Sequence, residues 1–429
     1  MKKIINPQKD NWSIILQRPT QSIEAIEDTV NSIFDDIKRN GDDGVLRYSS
    51  IFDGVELTDF FVSNEEIAEA ENIVSDDLKE AIKSAKRNIE KFHSTQKTSK
   101  VVVETVEGVV CWQEKRPIQK VGLYIPGGTA PLFSSVLMLA IPAQIAGCKE
   151  IILVTPPNKR GEINPAILYT ANLCGITKII KVGGIQAIAS LTFGTETIPK
   201  VYKIYGPGNQ YVTVAKQLAT KFGVAIDMPA GPSELLVVAD ETANASFVAS
   251  DLLSQAEHGE DSQVILVSTS IQKLEEVAQE IAKQLQKLSR KNIAEKAIAN
   301  SKLLFVETKE IALELINEYG PEHFIICTNN NDFYMEGVQN AGSVFIGNYT
   351  PESAGDYASG TNHTLPTNGY AKAYSGVNLD SFLKAITFQK ISKKGIQNIG
   401  NTIELMAEAE GLDAHKNAVT LRLNSLKEV

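Results

Sequence analysis

The chain has 429 residues, a net charge of −10 and 43 % hydrophobic residues, so it is long enough for about two to three globular domains. The acidic balance argues against a nucleic-acid-binding protein, which needs a basic surface, and no apolar run reaches the ~20 residues of a membrane span. The four cysteines form no CxxC pair and there is no signal-peptide pattern, so we expect a soluble, cytoplasmic protein with reduced thiols.

The N-terminal part of the sequence predicts an arm followed by two helices. Residues 1–20 form the arm. Apolar residues then recur at three- and four-residue spacing over 23–38 and over about 64–93, which predicts amphipathic helices. Gly41 indicates the end of the first helix. His93 ends the second helix among polar residues, and we expect it at the surface.

From residue 121 the chain alternates short β-branched runs with helical patterns. The predicted strands cover 121–125, 150–154, 178–182, 201–205, 235–239, 263–268, 303–306 and 324–327. The predicted helices cover 134–146, 164–174, 185–191, 210–222, 245–257, 273–288 and 311–319. This alternation predicts an α/β protein with two doubly wound, Rossmann-like parallel-sheet domains. In such folds, ligands bind at the carboxyl ends of the strands.

The alternation stops after about residue 377, and a mostly helical tail follows. We therefore expect an N-terminal arm, a discontinuous first α/β domain, an inserted second α/β domain and a C-terminal helical tail. Their expected bounds are 1–20, 21–122 plus 234–377, 123–233 and 378–429. The apolar positions of the tail cannot be buried by the tail alone, so it must dock on its own body or on another subunit.

Four of the five histidines lie in the last two fifths of the chain, close to carboxylates, amides and glycines. Together they indicate a metal or acid–base site. Gln255 and His258 share a helix face near a predicted helix end, where Gly259 supplies a left-handed stop. A histidine at a helix end is also a simple cap, and spacing alone does not make Gln255 a metal ligand.

Glu322 and His323 form an adjacent pair of bases just before a predicted strand. Their ordinary pKa values of ~4.3 and ~6.5 suit a reaction that deprotonates an alcohol and activates a water, although a polar loop has the same composition. Residues 353–363 form a predicted loop of small residues that carries Asp356 and His363. Small residues let the backbone approach a ligand, so this loop indicates a site.

Two further patterns concern the tail and the glycine loops. In the tail, Gly411 predicts a helix end between Glu410 and His415. The loops 124–129 and 205–209 each lie between a predicted strand and a predicted helix, where phosphate-binding turns occur. Neither loop reads GxGxxG, so a nucleotide cofactor is compatible with the sequence but is not indicated by that motif.

The ordered motifs resemble those of the histidinol dehydrogenases, the zinc enzymes of histidine biosynthesis, over nearly the whole chain. The six motifs are VGLYIPGG (121–128), AGPSE (230–234), SQAEHG (254–259), GPEH (320–323), SAGDYASGTNH (353–363) and EGLDAH (410–415). The resemblance implies NAD-dependent oxidation of L-histidinol to L-histidine through histidinal. It also implies a homodimer with swapped C-terminal tails, so that Glu410 and His415 come from the partner chain.

The resemblance assigns roles to individual residues. It implies that His323 is the base of both oxidations and that Glu322 activates water. The implied zinc ligands, which also hold the substrate, are Gln255, His258, Asp356 and His415. The other implied substrate contacts are Ser233, His323, His363 and Glu410, and the implied NAD contacts are Tyr124, Gln186 and Asn209.

The sequence leaves other functions open. The same zinc site could oxidise another small amino alcohol or a diol, although His363 and Glu410 favour histidinol. A zinc hydrolase is a second alternative, because the Gln, His and Asp set could activate water directly. A non-catalytic small-molecule binder or a cysteine nucleophile fits less well, because ionisable residues cluster and no cysteine adjoins a histidine in sequence.

Overall fold

The computed structural model describes residues 1–19, 23–127 and 130–427. Gly128 and Thr129 of the first glycine loop lie outside the described residues. The helices are α1 Trp12–Ile15, α2 Ile23–Tyr48, α3 Asn64–Ile73, α4 Asp76–Ser94, α5 Phe133–Ala146, α6 Pro165–Leu173, α7 Gly184–Phe193, α8 Gln210–Lys221, α9 Ala245–Ala256, α10 Ile271–Leu285, α11 Lys291–Ala299, α12 Lys309–Tyr319, α13 Asn331–Gly337, α14 Glu352–Tyr357, α15 Lys393–Ala409 and α16 Asp413–Ser425.

The strands form three sheets. They are β1 Lys2–Ile5, β2 Val102–Val106, β3 Val109–Pro117, β4 Lys120–Tyr124, β5 Glu150–Val154, β6 Ile179–Ile180, β7 Lys203–Tyr205, β8 Ala225–Ile226, β9 Glu234–Ala239, β10 Gln263–Ser268, β11 Lys302–Phe305, β12 His323–Cys327, β13 Ser343–Ile346 and β14 Leu383–Ile391. By contacts, the chain divides into a large unit, 1–96 plus 118–382, and a small unit, 97–117 plus 383–429.

The large unit contains two parallel sheets. The six-stranded sheet has the order β1-β11-β10-β9-β12-β13, and the five-stranded sheet has the order β6-β5-β4-β7-β8. Helices cover both faces, so central strands such as β9 are buried along their whole length. The predicted α/β class with two doubly wound parallel sheets is confirmed.

The N-terminal segment differs from the expected separate arm. Its strand β1 pairs in parallel with β11, with Ile4 opposite Leu304, and extends the six-stranded sheet. Trp12 of α1 is buried in the core of the same sheet. A four-residue edge strand is too short to produce a recognisable periodicity, which is why the sequence did not reveal it.

The helices between residues 23 and 94 also differ from the expected grouping with 234–377. They pack on the five-stranded sheet. Phe34 of α2 lies in one core with Ile188, and Ile89 of α4 lies in another with Leu137. An amphipathic stripe shows which face of a helix is buried but not which sheet buries it. The break in α2 does fall at Gly41, whose φ is 50°.

His93 is the clearest local correction. It is fully buried, and its Nδ1 lies 3.1 Å from Oε1 of Gln96. It belongs to the buried stripe of α4, in which Ile89 lies seven residues after Ile82 and His93 lies four residues after Ile89. The helical spacing therefore outweighs the polar neighbours in sequence.

The small unit combines an antiparallel sheet with two helices. The sheet has the order β14-β3-β2, and α15 and α16 pack against each other, with Gly400 close to Leu423. The tail was expected to be mostly helical with no strand, whereas residues 383–391 form β14. Within the described residues, no helix is both long and apolar enough to cross a membrane.

Candidate active site

Three histidines of the large unit, His258, His323 and His363, converge with several carboxylates near the amino ends of two adjacent strands. Glu234 is the first residue of β9 and His323 is the first residue of β12, and the register pairs His323 with Leu235. Glu322 immediately precedes β12. The expectation that ligand groups lie at the carboxyl ends of the strands is therefore wrong for this sheet, although the glycine loops do follow the carboxyl ends of β4 and β7.

Helix α9 brings two more residues to this edge because it runs back across the sheet after β9. Gln255 lies in its last turn and is fully buried, whereas His258 follows the helix and is exposed. The helix ends in right-handed geometry at Glu257, so Gly259 is not the left-handed stop that the sequence predicted.

Helix α14 supplies the acidic side of the site. The sequence predicted a loop here, but residues 352–357 form a short helix that places Glu352 and Asp356 on one face. One ligand atom from each of His258, Glu352 and Asp356 lies within 4.8 Å of the others. An imidazole beside two carboxylates is a donor set that zinc accepts.

The Gln255 amide lies next to this cluster. In one orientation its nitrogen lies 3.4 Å from Oε2 of Glu322. Turned by half a turn, the nitrogen donates to Glu352 and the oxygen accepts from the Glu234 N–H at 2.9 Å. The amide is therefore held among the same acidic side chains that surround His323.

His323 is the centre of the site. Its Nδ1 lies 3.3 Å from the Glu234 carbonyl oxygen, 3.6 Å from Glu322 and 3.8 Å from Glu352. Its Nε2 lies 3.6 Å from Oδ1 of Asp356 and has no hydrogen-bond partner among the described residues. Because a carbonyl can only accept, this arrangement places the proton of the neutral ring on Nδ1, and in that form the Nε2 lone pair is free.

The cluster is electrostatically coupled. Burial lowers the pKa of His323, but the carboxylates of Glu322 and Glu352 outweigh it and raise that pKa well above its ordinary value. Burial also raises the pKa of Glu352 well above its usual range. Burial opposes ionisation of Asp356 as well, yet the neighbouring His323 ring outweighs it and lowers the pKa of that carboxyl. Such opposed shifts within one cluster are typical of functional sites.

A cavity of about 70 Å³ lies between the two parallel sheets beside Glu322. Ser233 and His363 line it from the six-stranded side, and Gly206 and Gly208 line it from the five-stranded side. His363 is fixed by both ring nitrogens: Nε2 lies 3.1 Å from Oγ of Ser135 and Nδ1 lies 3.0 Å from the Asp356 carbonyl. Burial lowers the pKa of His363.

Two of the three residues implied as NAD contacts lie together on the five-stranded sheet. The Tyr124 hydroxyl accepts from the Gly184 N–H at 3.3 Å, and Nε2 of Gln186 donates to Asp53 at 3.1 Å. Burial raises the pKa of Tyr124 to about 12 and that of Asp53 to about 6. Asn209 caps α8, where its side chain accepts from the Val212 N–H.

A much larger cavity, about 1030 Å³, lies at the carboxyl ends of β4 and β5. Asp53, Gly127, Thr155 and Pro156 are among the residues that line it. Strand order reverses on the other side of β4, between β4 and β7, where open parallel sheets bind their ligands, so this cavity lies beside that point and not at it. The cavity has the volume expected for a large organic cofactor.

The last two implied site residues belong to the small unit. Glu410 ends α15 and His415 lies in the first turn of α16, and both are exposed. Gly411 between them has a φ of 71°, as its predicted role as a helix end requires. Asp413 starts α16 without capping it.

Sequence reasoning missed several residues of the site. Glu352 lies four residues before Asp356, and that helical spacing was a signal available in the sequence. Glu234 is a buried carboxylate that ends the AGPSE motif but received no role, and Asp53 is a half-buried carboxylate outside every quoted motif. Arg18 contacts Glu234 across more than two hundred residues of chain, so only the fold could reveal it.

Comparison with known proteins agrees with the geometry. The family described as histidinol dehydrogenase matches residues 16–423. The histidinol dehydrogenase of Bacteroides thetaiotaomicron is 60 % identical over 427 residues, covering 100 % of both chains, and that of Escherichia coli is 52 % identical, covering 96 % of this chain and 95 % of the other. The crystal structure of histidinol dehydrogenase from Elizabethkingia anophelis superimposes with a TM-score of 0.97 at 58 % identity, covering 100 % of this chain and 99 % of that one.

The site and fold define an oxidoreductase with two parallel α/β sheets and a buried histidine–carboxylate pair. The chain belongs to the histidinol dehydrogenase family.

Proposed function

We propose that this protein catalyses the NAD-dependent oxidation of L-histidinol to L-histidine, the last step of histidine biosynthesis, in the cytoplasm. The observation that carries the proposal is the His323 ring, whose Nδ1 faces the Glu234 carbonyl while Nε2 has no hydrogen-bond partner among the described residues. Glu322 lies beside it at the small cavity between the sheets.

The first oxidation needs a base at the substrate hydroxyl. Nε2 of His323 accepts the hydroxyl proton while the adjacent carbon transfers a hydride to NAD⁺, giving histidinal, NADH and a proton. Ser233 and His363 line the small cavity beside Glu322 and would hold the substrate there, which fixes the position of the reacting carbon.

The second oxidation needs the aldehyde to be hydrated. Glu322 aligns and deprotonates a water that adds to histidinal, and the resulting diol loses a second hydride to a second NAD⁺ while His323 again accepts a proton. The products are histidine, NADH and protons, so the whole reaction consumes two NAD⁺ and one water per histidinol. Keeping histidinal bound avoids the release of a reactive aldehyde.

A zinc ion fits the donor set at this edge. We propose Gln255, His258, Asp356 and His415 as its ligands. The cluster of His258, Glu352 and Asp356 supports this, as does the unpartnered buried Nε2 of His323. When bound, zinc would orient the imidazole and amino nitrogens of the substrate, and its charge would offset the carboxylates around His323.

The five-stranded sheet is the proposed dinucleotide site. Tyr124 ends β4, Gln186 lies in the first turn of α7 after β6, and Asn209 caps α8 after β7, so all three lie near the carboxyl edge. The cavity of about 1030 Å³ lies at the same edge. The glycine loop Gly206–Gly208 also lines the small cavity. A cofactor at this edge could therefore extend towards the substrate.

We propose a homodimer in which the C-terminal tails are exchanged. Glu410 and His415 are exposed polar residues at the turn between α15 and α16, and Leu405, Met406 and Leu421 expose apolar side chains on the same helices. Exposed apolar surface of this kind marks an interaction site. Each tail would add Glu410 to the substrate contacts and His415 to the zinc ligands of its partner.

The decisive experiment measures NADH formed per L-histidinol consumed, with and without a zinc chelator. We expect two NADH per histidinol, histidine as the product and loss of turnover on chelation. His323→Asn, purified in the same way, reports the background. A folded, zinc-loaded protein that forms no NADH from histidinol would favour another amino alcohol or a diol as substrate, and turnover without NAD⁺ would favour a hydrolase.

A further inference from the structure

Glu234 connects four separate parts of the large unit. Its carboxylate is 1 % exposed and forms a bidentate pair with Arg18, with Nε at 2.5 Å and Nη2 at 2.9 Å. It also accepts from the N–H of Asn368 at 2.6 Å, in the segment that follows His363. Asn368 has a φ of 55°, an unfavourable conformation that this contact stabilises.

The backbone of Glu234 contacts the proposed catalytic pair. Its N–H donates to Oε2 of Glu322 at 2.8 Å, and its carbonyl oxygen lies 3.3 Å from Nδ1 of His323. One peptide segment therefore positions the carboxylate and also selects the tautomer of the imidazole. Any shift in the start of β9 would move both groups.

Arg18 is itself held firmly. Its guanidinium lies 4.0 Å from the centre of the Tyr319 ring and donates to the Tyr319 carbonyl at 2.8 Å. The N-terminal segment that carries it is fixed by β1 and by the buried Trp12. Bidentate arginine–carboxylate pairs are geometrically specific, so Arg18 fixes the direction of the Glu234 side chain as well as its charge.

We propose that Arg18 is a positioning residue for both oxidations, acting through Glu234 to hold Glu322 and His323 in their working geometry. The proposal rests on the proposed function of that pair. It gives the N-terminal segment a role in the reaction although Arg18 does not touch the reacting atoms.

The test compares Arg18→Ala with Lys9→Met. Lys9 lies on the same N-terminal segment as Arg18 and forms an exposed ion pair with Glu314 of α12. Loss of the Lys9 charge therefore controls for a general effect on that segment. We expect Arg18→Ala to lower kcat for histidinol about 10²-fold, as small misplacements of catalytic groups do, with the KM changing much less. Added guanidinium should restore part of the rate, and Lys9→Met should keep wild-type kcat.

A second variant separates positioning from stability, because Arg18→Ala leaves a buried carboxylate without its cation. Arg18→Met combined with Glu234→Gln removes both charges. We expect it to unfold at nearly the wild-type temperature and still to have a reduced kcat. Recovery of kcat together with stability would overturn the proposal, as would wild-type kcat in Arg18→Ala.

A spectroscopic measurement distinguishes failure of this inference from failure of the proposed function. The ring ¹⁵N signals of His323, assigned with His323→Asn, report the tautomer in the zinc-loaded protein without any substrate. We expect the Nδ1-protonated form in the wild type and a mixture in Arg18→Ala. Identical spectra would overturn the positioning role, whereas absence of turnover by the wild type would overturn only the proposed reaction.

Discussion

Each parallel sheet of the large unit has a buried ion pair at the edge that faces the small cavity, but the two pairs hold different groups. On the six-stranded sheet, Arg18 and Glu234 fix a segment whose backbone contacts ionisable side chains. On the five-stranded sheet, Lys216 and Asp227 lie 2.5 Å apart and hold a glycine loop. Lys216 donates to the Gly206 carbonyl at 2.7 Å, and Asp227 accepts from the Gly206 N–H at 2.8 Å.

The comparison indicates that similar buried ion pairs can hold groups with different roles, one in proton transfer and one in binding. The pair on the six-stranded sheet orients the groups that we propose exchange protons with the substrate. The pair on the five-stranded sheet orients a loop with no ionisable side chain of its own, which suits binding. Substitutions on the first sheet should therefore lower kcat, and substitutions on the second should raise the KM for NAD⁺.

The largest effect should come from the catalytic pair. We expect His323→Asn to abolish both oxidations, because general bases contribute about 10²–10⁴-fold to a rate. Glu322→Gln should spare the oxidation of added histidinol to histidinal and slow the oxidation of added histidinal. NADH formation from each substrate measures the two steps. Equal slowing of both steps by Glu322→Gln would contradict the division of roles.

The second largest effect should come from the proposed shared site, to which the small unit contributes a zinc ligand. We expect His258→Ala and His415→Ala to be inactive alone and to regain activity when mixed and refolded. If tails are exchanged, one site of each mixed dimer is intact, so random pairing predicts about a quarter of wild-type activity. Each variant refolded by itself is the control. Mixed dimers that are well folded and inactive would rule out the shared site.

A smaller effect should separate binding from chemistry on the five-stranded sheet. Gly206 has a φ of 129°, and a Cβ there would collide with the Tyr124 carbonyl. We expect Gly206→Ala to raise the KM for NAD⁺ about tenfold, equivalent to ~1.4 kcal/mol of binding, and to change the KM for histidinol less. Steady-state kinetics with each substrate varied in turn measure both values.

Gly223→Ala, outside that loop, is the matched control for Gly206→Ala. Gly223 also has a positive φ, 80°, but a Cβ there would meet no atom of the described residues within 4 Å. Both variants therefore share the backbone strain of a left-handed alanine, and only Gly206→Ala displaces a neighbour. An equal rise in the KM for NAD⁺ in both would show that strain, and not the position of the loop, is responsible.

The sequence predicted the elements of the two sheets well for a physical reason. Strands buried on both faces read as continuous apolar runs, as in 235–239, and helices between them repeat every three to four residues. The antiparallel strands β2, β3 and β14 were missed, although β-branched residues are frequent on both sides of the turn at Gly108.

The site was less predictable because its residues meet through packing. Gln255, Glu322 and Asp356 lie in recognisable motifs, but no local pattern places them at the amino edge of β9 and β12. The contact between Arg18 and Glu234 joins the first and third hundred residues and leaves no periodic signal. The motifs thus identified candidate site residues, and the fold was needed to show which contacts hold those residues in place.

The smallest effect tests whether burial perturbs the charge of Asp53, which follows α2 and contacts Gln186 of α7. Burial raises the pKa of Asp53 from an ordinary 3.8 to about 6, so the folded chain binds this proton more tightly than the unfolded chain. The wild type should therefore lose stability as the pH rises from about 4 to 6 and change no further above that range. Asp53→Asn lacks this titration and keeps an oxygen that can accept from Gln186. We expect it to match the wild type near pH 4 and to exceed it at pH 7.5 by at most ~1–2 kcal/mol, because partial exposure screens the carboxylate. Urea unfolding at both pH values measures the difference, and an advantage that is the same at both would mean that the charge of Asp53 is not what costs stability.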